Sequence, residues 1–156
     1  KSKIAFVNEK KIIIWFLCLS ILFTPNLSAE EKFLSLKKNK VNVRYGPGKD
    51  HSIKYIYRKI NLPLKQIDKK ENWRRIIDLK NNSGWIHWSQ LKPSNSLIIL
   101  EDKILFKKSS NFSKPIARLE KGRLLVVKKC KNNWCNIVTQ NYSGWIKNND
   151  VWGKIN

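Results

Sequence analysis

The 156-residue sequence contains no methionine, two histidines and three cysteines, and 11 acidic residues stand against 32 lysines and arginines. Each shortage excludes something. A structural zinc site needs about four ligands, and neither His51 nor His87 has a cysteine-rich neighbourhood. No glycine-rich loop leads into a helical stretch, so no nucleotide phosphate cradle is expected. Asp68, Asp78, Asp102 and Asp150 are scattered, and no motif pairs two of them as acid and base. The chain is therefore expected to be no enzyme, with no catalytic residue, no metal and no cofactor. No apolar run reaches the ~20 residues that a spanning helix needs.

The longest apolar run, residues 12–23, is uncharged and follows Lys1, Lys3, Lys10 and Lys11. Pro25 interrupts the pattern, and Ser28-Ala29 precedes the acidic pair Glu30-Glu31. A basic lead, an apolar core and a small exit residue are the parts of a secretory signal. They predict a signal helix over 1–29, removed after Ala29, and an exported protein of the periplasm or cell envelope, with an uncleaved anchor as the alternative. Without 1–29 the chain keeps 28 basic and 10 acidic residues, a net charge of +18. Such a field attracts anionic partners, among them cell-wall polymers and phospholipid headgroups. The basic residues form no long run, which equally fits drift across a Lys-, Asn- and Ile-rich sequence. Export sets nucleic acid aside as a physiological partner. Cys18 lies in the apolar core, so Cys130 and Cys135 remain, an even pair that predicts a disulfide in an oxidising compartment.

One unit is written twice. Asn72-Trp73 recurs as Asn133-Trp134, and Ser83-Gly84-Trp85-Ile86 as Ser143-Gly144-Trp145-Ile146. Both copies read as short strands and turns, and no amphipathic helical stretch of useful length follows the leader. Apolar runs at 62–67 and 124–127 lead into turns at Glu71-Asn72 and Asn132-Asn133, and Trp73 to Ile77 and Trp134 to Val138 form the return strands. Asn tolerates positive φ, so Asn132-Asn133 suits a two-residue primed turn. That turn pairs Lys131 with Trp134 and sets Cys130 opposite Cys135, near bridging distance. Lys69 and Arg74 hold the same places in the first copy, so the disulfide is not obligatory to the fold. Lys92-Pro93-Ser94-Asn95-Ser96 reads as the junction, giving a first domain over 30–92, a linker over 93–97 and a second domain over 98–156.

Phe33-Leu34-Ser35-Leu36, Val41-Asn42-Val43-Arg44-Tyr45-Gly46-Pro47-Gly48, Asn72-Trp73-Arg74-Arg75-Ile76 and Gly84-Trp85-Ile86-His87 together resemble the bacterial SH3-like (SH3b) family. In the second half Asn133-Trp134-Cys135, Gly144-Trp145-Ile146 and Asp150-Val151-Trp152-Gly153 carry the likeness. The closest resemblance is to exported tandem SH3-like proteins of Gram-negative bacteria. It implies an all-β chain, two small SH3-like antiparallel β-barrels in tandem, used to bind peptide or cell wall or as targeting modules. Leu105-Phe106-Lys107-Lys108-Ser109-Ser110 replaces the Val-Arg-x-Gly-Pro-Gly turn in the second copy, which puts ligand binding there in question.

The expected function is a binding module for peptidoglycan or a cell-wall peptide, with a periplasmic protein–protein adaptor or structural envelope protein as the alternative and an envelope protein as its partner. Tyr45 beside Gly46-Pro47 is the leading ligand candidate, because SH3-type barrels hold extended peptides in aromatic-lined grooves between loops. Arg44 is a candidate for a carboxylate, and also for a purely structural pairing. Trp73 and Trp88 are candidates for ligand contact or for packing, Trp85 and Trp145 are expected to pack, and His87 reads as a surface histidine.

Overall fold

The computed structural model describes residues 31–139 and 141–155. The expected signal over 1–29 lies outside the described residues. Residues 31–156 form one compact unit, which holds every described strand.

The first repeat contributes β1 (Phe33–Leu36), β2 (Val41–Arg44), β3 (Ile53–Tyr57), β4 (Pro63–Lys70), β5 (Trp73–Ile77), β6 (Ser83–His87) and β7 (Leu91–Pro93), with a single 3-10 turn at Trp88–Gln90 between the last two. The second contributes β8 (Ser96–Ile99), β9 (Lys103–Phe106), β10 (Pro115–Leu119), β11 (Leu124–Lys131), β12 (Trp134–Val138), β13 (Ser143–Lys147) and β14 (Val151–Trp152). The strands form two seven-stranded sheets in the orders β3-β2-β6-β5-β4-β1-β7 and β10-β9-β13-β12-β11-β8-β14. The orders correspond strand for strand, as the internal repeat requires. Every pairing is antiparallel.

Alternation builds the cores. In β2, Val41 and Val43 point inward between Asn42 and Arg44, and in β12 Cys135 and Ile137 do the same. One core gathers Leu36, Val41, Val43, Leu64, Ile76 and Ile86, with Leu91 at its margin. The other gathers Leu97, Ile99, Leu105, Leu119, Leu125, Ile137 and Ile146, and includes the Cys135 side of the disulfide.

The signature Ser-Gly-Trp-Ile has a steric cause. A Cβ on Gly84 would stand 2.4 Å from Val43 Cγ1, and one on Gly144 would stand 2.6 Å from the Phe106 carbonyl oxygen. In both repeats glycine lets the last long strand pass close over the second strand of the unit, β6 over β2 and β13 over β9.

The hairpin β11–β12 has the expected register, with Lys131 opposite Trp134 and Cys130 opposite Cys135. The two cysteines form the disulfide, Cα to Cα 4.1 Å. Lys69 and Arg74 are the matching pair in β4–β5. Asn132 takes φ 53° at the turn, and Glu71 takes φ 46° at the same place in the first repeat.

The junction is tighter than the expected linker 93–97. Pro93 ends β7 and Ser96 opens β8, leaving Ser94 and Asn95 between them. Ser94, Ser96 and Leu97 are buried, the Asn95 carbonyl accepts from Val127 N at 2.8 Å, and Asn95 N donates to Ser35 Oγ at 3.4 Å. Polar contacts continue across the seam. Ser35 Oγ and Ser96 Oγ share a buried hydrogen bond of 2.8 Å, and Trp152 Nε1 donates to the Pro63 carbonyl at 3.2 Å. The Trp152 ring meets Phe33 edge-on at 5.2 Å. The Asn95 backbone and the Ser96 hydroxyl, which donates to the Asn61 carbonyl, tie this stretch to both repeats, while Ser94 Oγ and Asn95 Oδ1 are buried without a hydrogen-bond partner.

Candidate functional site

A concavity of about 270 Å³ opens on the first repeat, lined by Asn42, Arg44, Lys49, Trp73, His87, Ser89 and Gln90. Four pieces of chain converge there. β2 supplies Asn42 and Arg44, the β2–β3 loop supplies Lys49, the start of β5 supplies Trp73, and the end of β6 with the 3-10 turn supplies the rest. The turn is folded against the β4–β5 hairpin because Trp88 N donates to the Asn72 carbonyl at 2.8 Å. His87 sits directly opposite Trp73 across the β5–β6 pair, and the rings meet edge-on at 5.3 Å. His87 Nδ1 and Ser89 Oγ share a 2.8 Å hydrogen bond. The pocket therefore has an aromatic wall beside two cations, and no acidic residue lines it.

Arg44 is held in place. Its Nη1 donates to the His51 carbonyl at 2.6 Å, tying the guanidinium to the far end of the β2–β3 loop. Gly46 is part of that loop's packing, because the His51 ring lies where a Cβ would stand, 2.5 Å away. A planar guanidinium fixed at one nitrogen keeps a fork of donors that suits a carboxylate.

Of the sequence candidates, Arg44 and Trp73 come together in this concavity. Tyr45, Gly46, Pro47 and Trp88 do not line it. Tyr45 stands 66% exposed on the loop, with Lys54 Nζ 5.6 Å over its ring. Gly46 is buried beneath the loop and Pro47 is half-buried. Trp88 is 52% exposed, and its nearest ring neighbour is His87 at 6.5 Å. Trp85 and Trp145 are half-buried in their strands. His87, read from the sequence as a surface residue, is half-buried against Trp73. Asn42 shares the face of β2 with Arg44, two residues on, while Lys49, Ser89 and Gln90 carry no sequence signal, because turns and loop closure bring them in.

The second repeat fills the corresponding space. The position of Arg44, opposite Trp85, is held by Phe106, opposite Trp145. The position of His87, opposite Trp73, is held by Lys147, opposite Trp134. Phe106 meets the Trp134 ring edge-on at 5.7 Å, and Lys147 Nζ lies 6.0 Å over it. An arginine-lined opening has become an aromatic contact.

Away from the pocket, Asp78 is buried and fully engaged. It accepts from Tyr57 Oη at 3.0 Å, from the backbone N–H groups of Lys80 and Asn82 at 2.9 Å each, and from Asn82 Nδ2. Burial, and then the contact with Tyr55, raise the Tyr57 hydroxyl above the ordinary phenol range. Tyr55 is raised too, again chiefly by burial. Asp102 is lowered by the backbone N–H of Lys121 and by Arg118. Among the described residues no group of three or more His, Cys, Asp or Glu side chains is placed to hold a metal ion. No described helix is long and apolar enough to cross a membrane.

The family model of the bacterial SH3 domain matches residues 37–93 and again 104–153. The chain belongs to the bacterial SH3 domain family. Its two matched segments fall on the two sheets described above. No curated protein matches the sequence. Among solved structures, this SH3-domain chain is similar to NlpC2 from Trichomonas vaginalis, with a TM-score of 0.37 and 11% identity over 80% of this chain and 49% of that one. It is also similar to NlpC1 from Trichomonas vaginalis, with a TM-score of 0.37 and 12% identity over 86% of this chain and 50% of that one. The chain thus spans about half the length of each.

Proposed function

We propose that this chain is an exported, non-catalytic binding module of the cell envelope, and that its first repeat holds a carboxylate-bearing peptide of the peptidoglycan. One observation carries the proposal: the concavity of the first repeat sets Arg44 and Lys49 beside the Trp73–His87 wall and is lined by no acid. Arg44 takes the carboxylate with its remaining fork, Lys49 adds charge, and Trp73 packs against the chain leading to it. Tyr45, exposed on the same loop, extends the contact outward. The second repeat holds Phe106 where Arg44 would be needed, and serves the first as scaffold.

Co-sedimentation of residues 30–156 with purified peptidoglycan sacculi tests this. The expected result is retention at both about 50 and about 300 mM salt, since exposed charge alone is strongly screened at the higher value. Arg44→Ala should weaken it roughly 10-fold or more, the scale of a lost charge-assisted hydrogen bond. No pelleting at either salt, or pelleting only at low salt, refutes the proposal. A second reading, a protein–protein adaptor, is favoured by the exposed Ile53 and Ile56 on the edge strand β3. It predicts capture of a defined envelope protein with no affinity for sacculi.

A further inference from the structure

The loop joining β9 to β10, residues 107–114, has no part in the pocket. Phe112 near its tip is 100% exposed. A singly exposed apolar side chain is ordinary, but three further observations concern this one. First, the loop is stiffly built: Lys107 N donates to the Lys114 carbonyl at 3.0 Å, Lys108 N to Ser113 Oγ at 2.8 Å and Ser113 N to the Ser110 carbonyl at 3.1 Å. Phe112 N itself donates to Ser110 Oγ at 3.2 Å. The loop's backbone is bonded within the loop at these points while the ring is presented to solvent. Second, residues 103–119 hold five basic residues and no acidic one. Lys107, Lys108 and Lys114 flank the ring and are exposed. Third, the register places another exposed aromatic at the same end of the sheet. Phe106 pairs with Pro115 and with Trp145, so the loop leaves the sheet where β13 begins, and Tyr142, 49% exposed, lies just before β13.

We propose that this loop is a lipid-surface anchor, in which Phe112 enters the headgroup region of an anionic membrane while Lys107, Lys108 and Lys114 pair with its phosphates. An aromatic ring with flanking lysines suits such a surface, because the ring takes the apolar boundary and the ammonium groups take the charge just outside it. A fixed loop presents the ring without first having to be ordered. The anchor is independent of the peptide pocket, which lies on the other repeat.

Residues 30–156 contain both cores, so flotation of that chain with vesicles is the direct test. Vesicles of phosphatidylcholine with about 30% phosphatidylglycerol are compared with pure phosphatidylcholine, since attraction to anionic lipid is the term at issue. The expected result is binding to the anionic vesicles alone. Phe112→Ser should weaken it about tenfold, the scale of burying part of one ring. The double change Lys107→Gln/Lys108→Gln should weaken it roughly 25-fold, about fivefold per lysine. Arg44→Ala should float as the wild type does, whatever becomes of its wall binding. An unchanged urea midpoint for Phe112→Ser checks that the variant is folded. No flotation, equal flotation on neutral vesicles, or Phe112→Ser binding as tightly as the wild type overturns the proposal; the last would leave the loop to charge alone or to a protein partner.

Discussion

Adding one methyl group to the signature glycine of each repeat should separate two strands that need to touch. In Gly144→Ala the new Cβ stands 2.6 Å from the Phe106 carbonyl oxygen, about 0.8 Å short of the ordinary contact that begins near 3.4 Å, with Ile116 Cδ1 and Leu105 Cγ both at 3.0 Å. The obstacle is backbone, so no side chain can turn aside. β13 meets β9 through the single register pair Trp145–Phe106, and a shift of that size stretches such pairing toward the limit of a hydrogen bond. Overpacking costs about 1–3 kcal/mol and a weakened backbone bond about 1 more, so about 2–4 kcal/mol is expected. In Gly84→Ala the obstacle is Val43 Cγ1 at 2.4 Å, with the Arg44 carbonyl at 3.0 Å. That cost should be about 1–3 kcal/mol, and displacement of Arg44 should also weaken the pocket. Gly122→Ala is the control: its φ is +82° but nothing lies within 4 Å, so only backbone strain of about 1–2 kcal/mol applies. Urea unfolding of residues 30–156, followed by tryptophan fluorescence, gives all three values. If Gly144→Ala costs no more than Gly122→Ala, close approach is not why the glycine is there.

Glu71 occupies φ 46° at a position where the second repeat uses Asn132, so Glu71→Asn should stabilise by about 0.5–1 kcal/mol, read as a raised urea midpoint. Reducing Cys130–Cys135 opens a crosslink that spans a very short loop, and a loss of about 2 kcal/mol is expected, with no effect of the reductant on a Cys130→Ser/Cys135→Ser variant. The raised Tyr57 hydroxyl contributes stability that is fully present below the unfolded phenol value near 10 and is lost as pH rises above it, because the unfolded chain gives up that proton first. Urea midpoints measured across that range should therefore fall more steeply for wild type than for Tyr57→Phe, and parallel curves would refute the assignment.

The elements legible in the sequence were those with a steric or register constraint behind them. The glycine of Ser-Gly-Trp-Ile marks a close crossing, Asn132-Asn133 marks a tight turn, and the cysteines could be paired because a two-residue turn fixes which positions face each other. The edge strands β3 and β10 were harder to read. Ile53 and Ile56 are exposed and Tyr55 and Tyr57 half-buried, so apolarity there does not alternate with burial. Burial of the junction is not legible in the sequence, because Asn95 N and Ser96 Oγ find their partners some 60 and 35 residues away in the first repeat. Of the candidates legible in the sequence, Arg44 and Trp73 line the pocket. His87 enters through its register opposite Trp73, and Ser89 and Gln90 enter because backbone bonds from Trp88 to Asn72 and from Lys37 to Gln90 fold the turn inward.

The seam formed by Trp152 on Phe33 and Pro63, and by Ser35 on Ser96, turns a tandem into a gauge. Two domains on a flexible tether can each find a ligand at any spacing within reach. Here the pocket proposed for the first repeat and the membrane loop proposed for the second belong to one compact unit, so their spacing is set by its packing. Two weak contacts made at that separation reinforce each other with little further loss of freedom, while the same contacts at a different spacing cannot be made together. If both proposed contacts are made, the chain responds to the distance between its partners as well as to their chemistry. Cutting the Trp152 contact would loosen that measure before it weakened either grip.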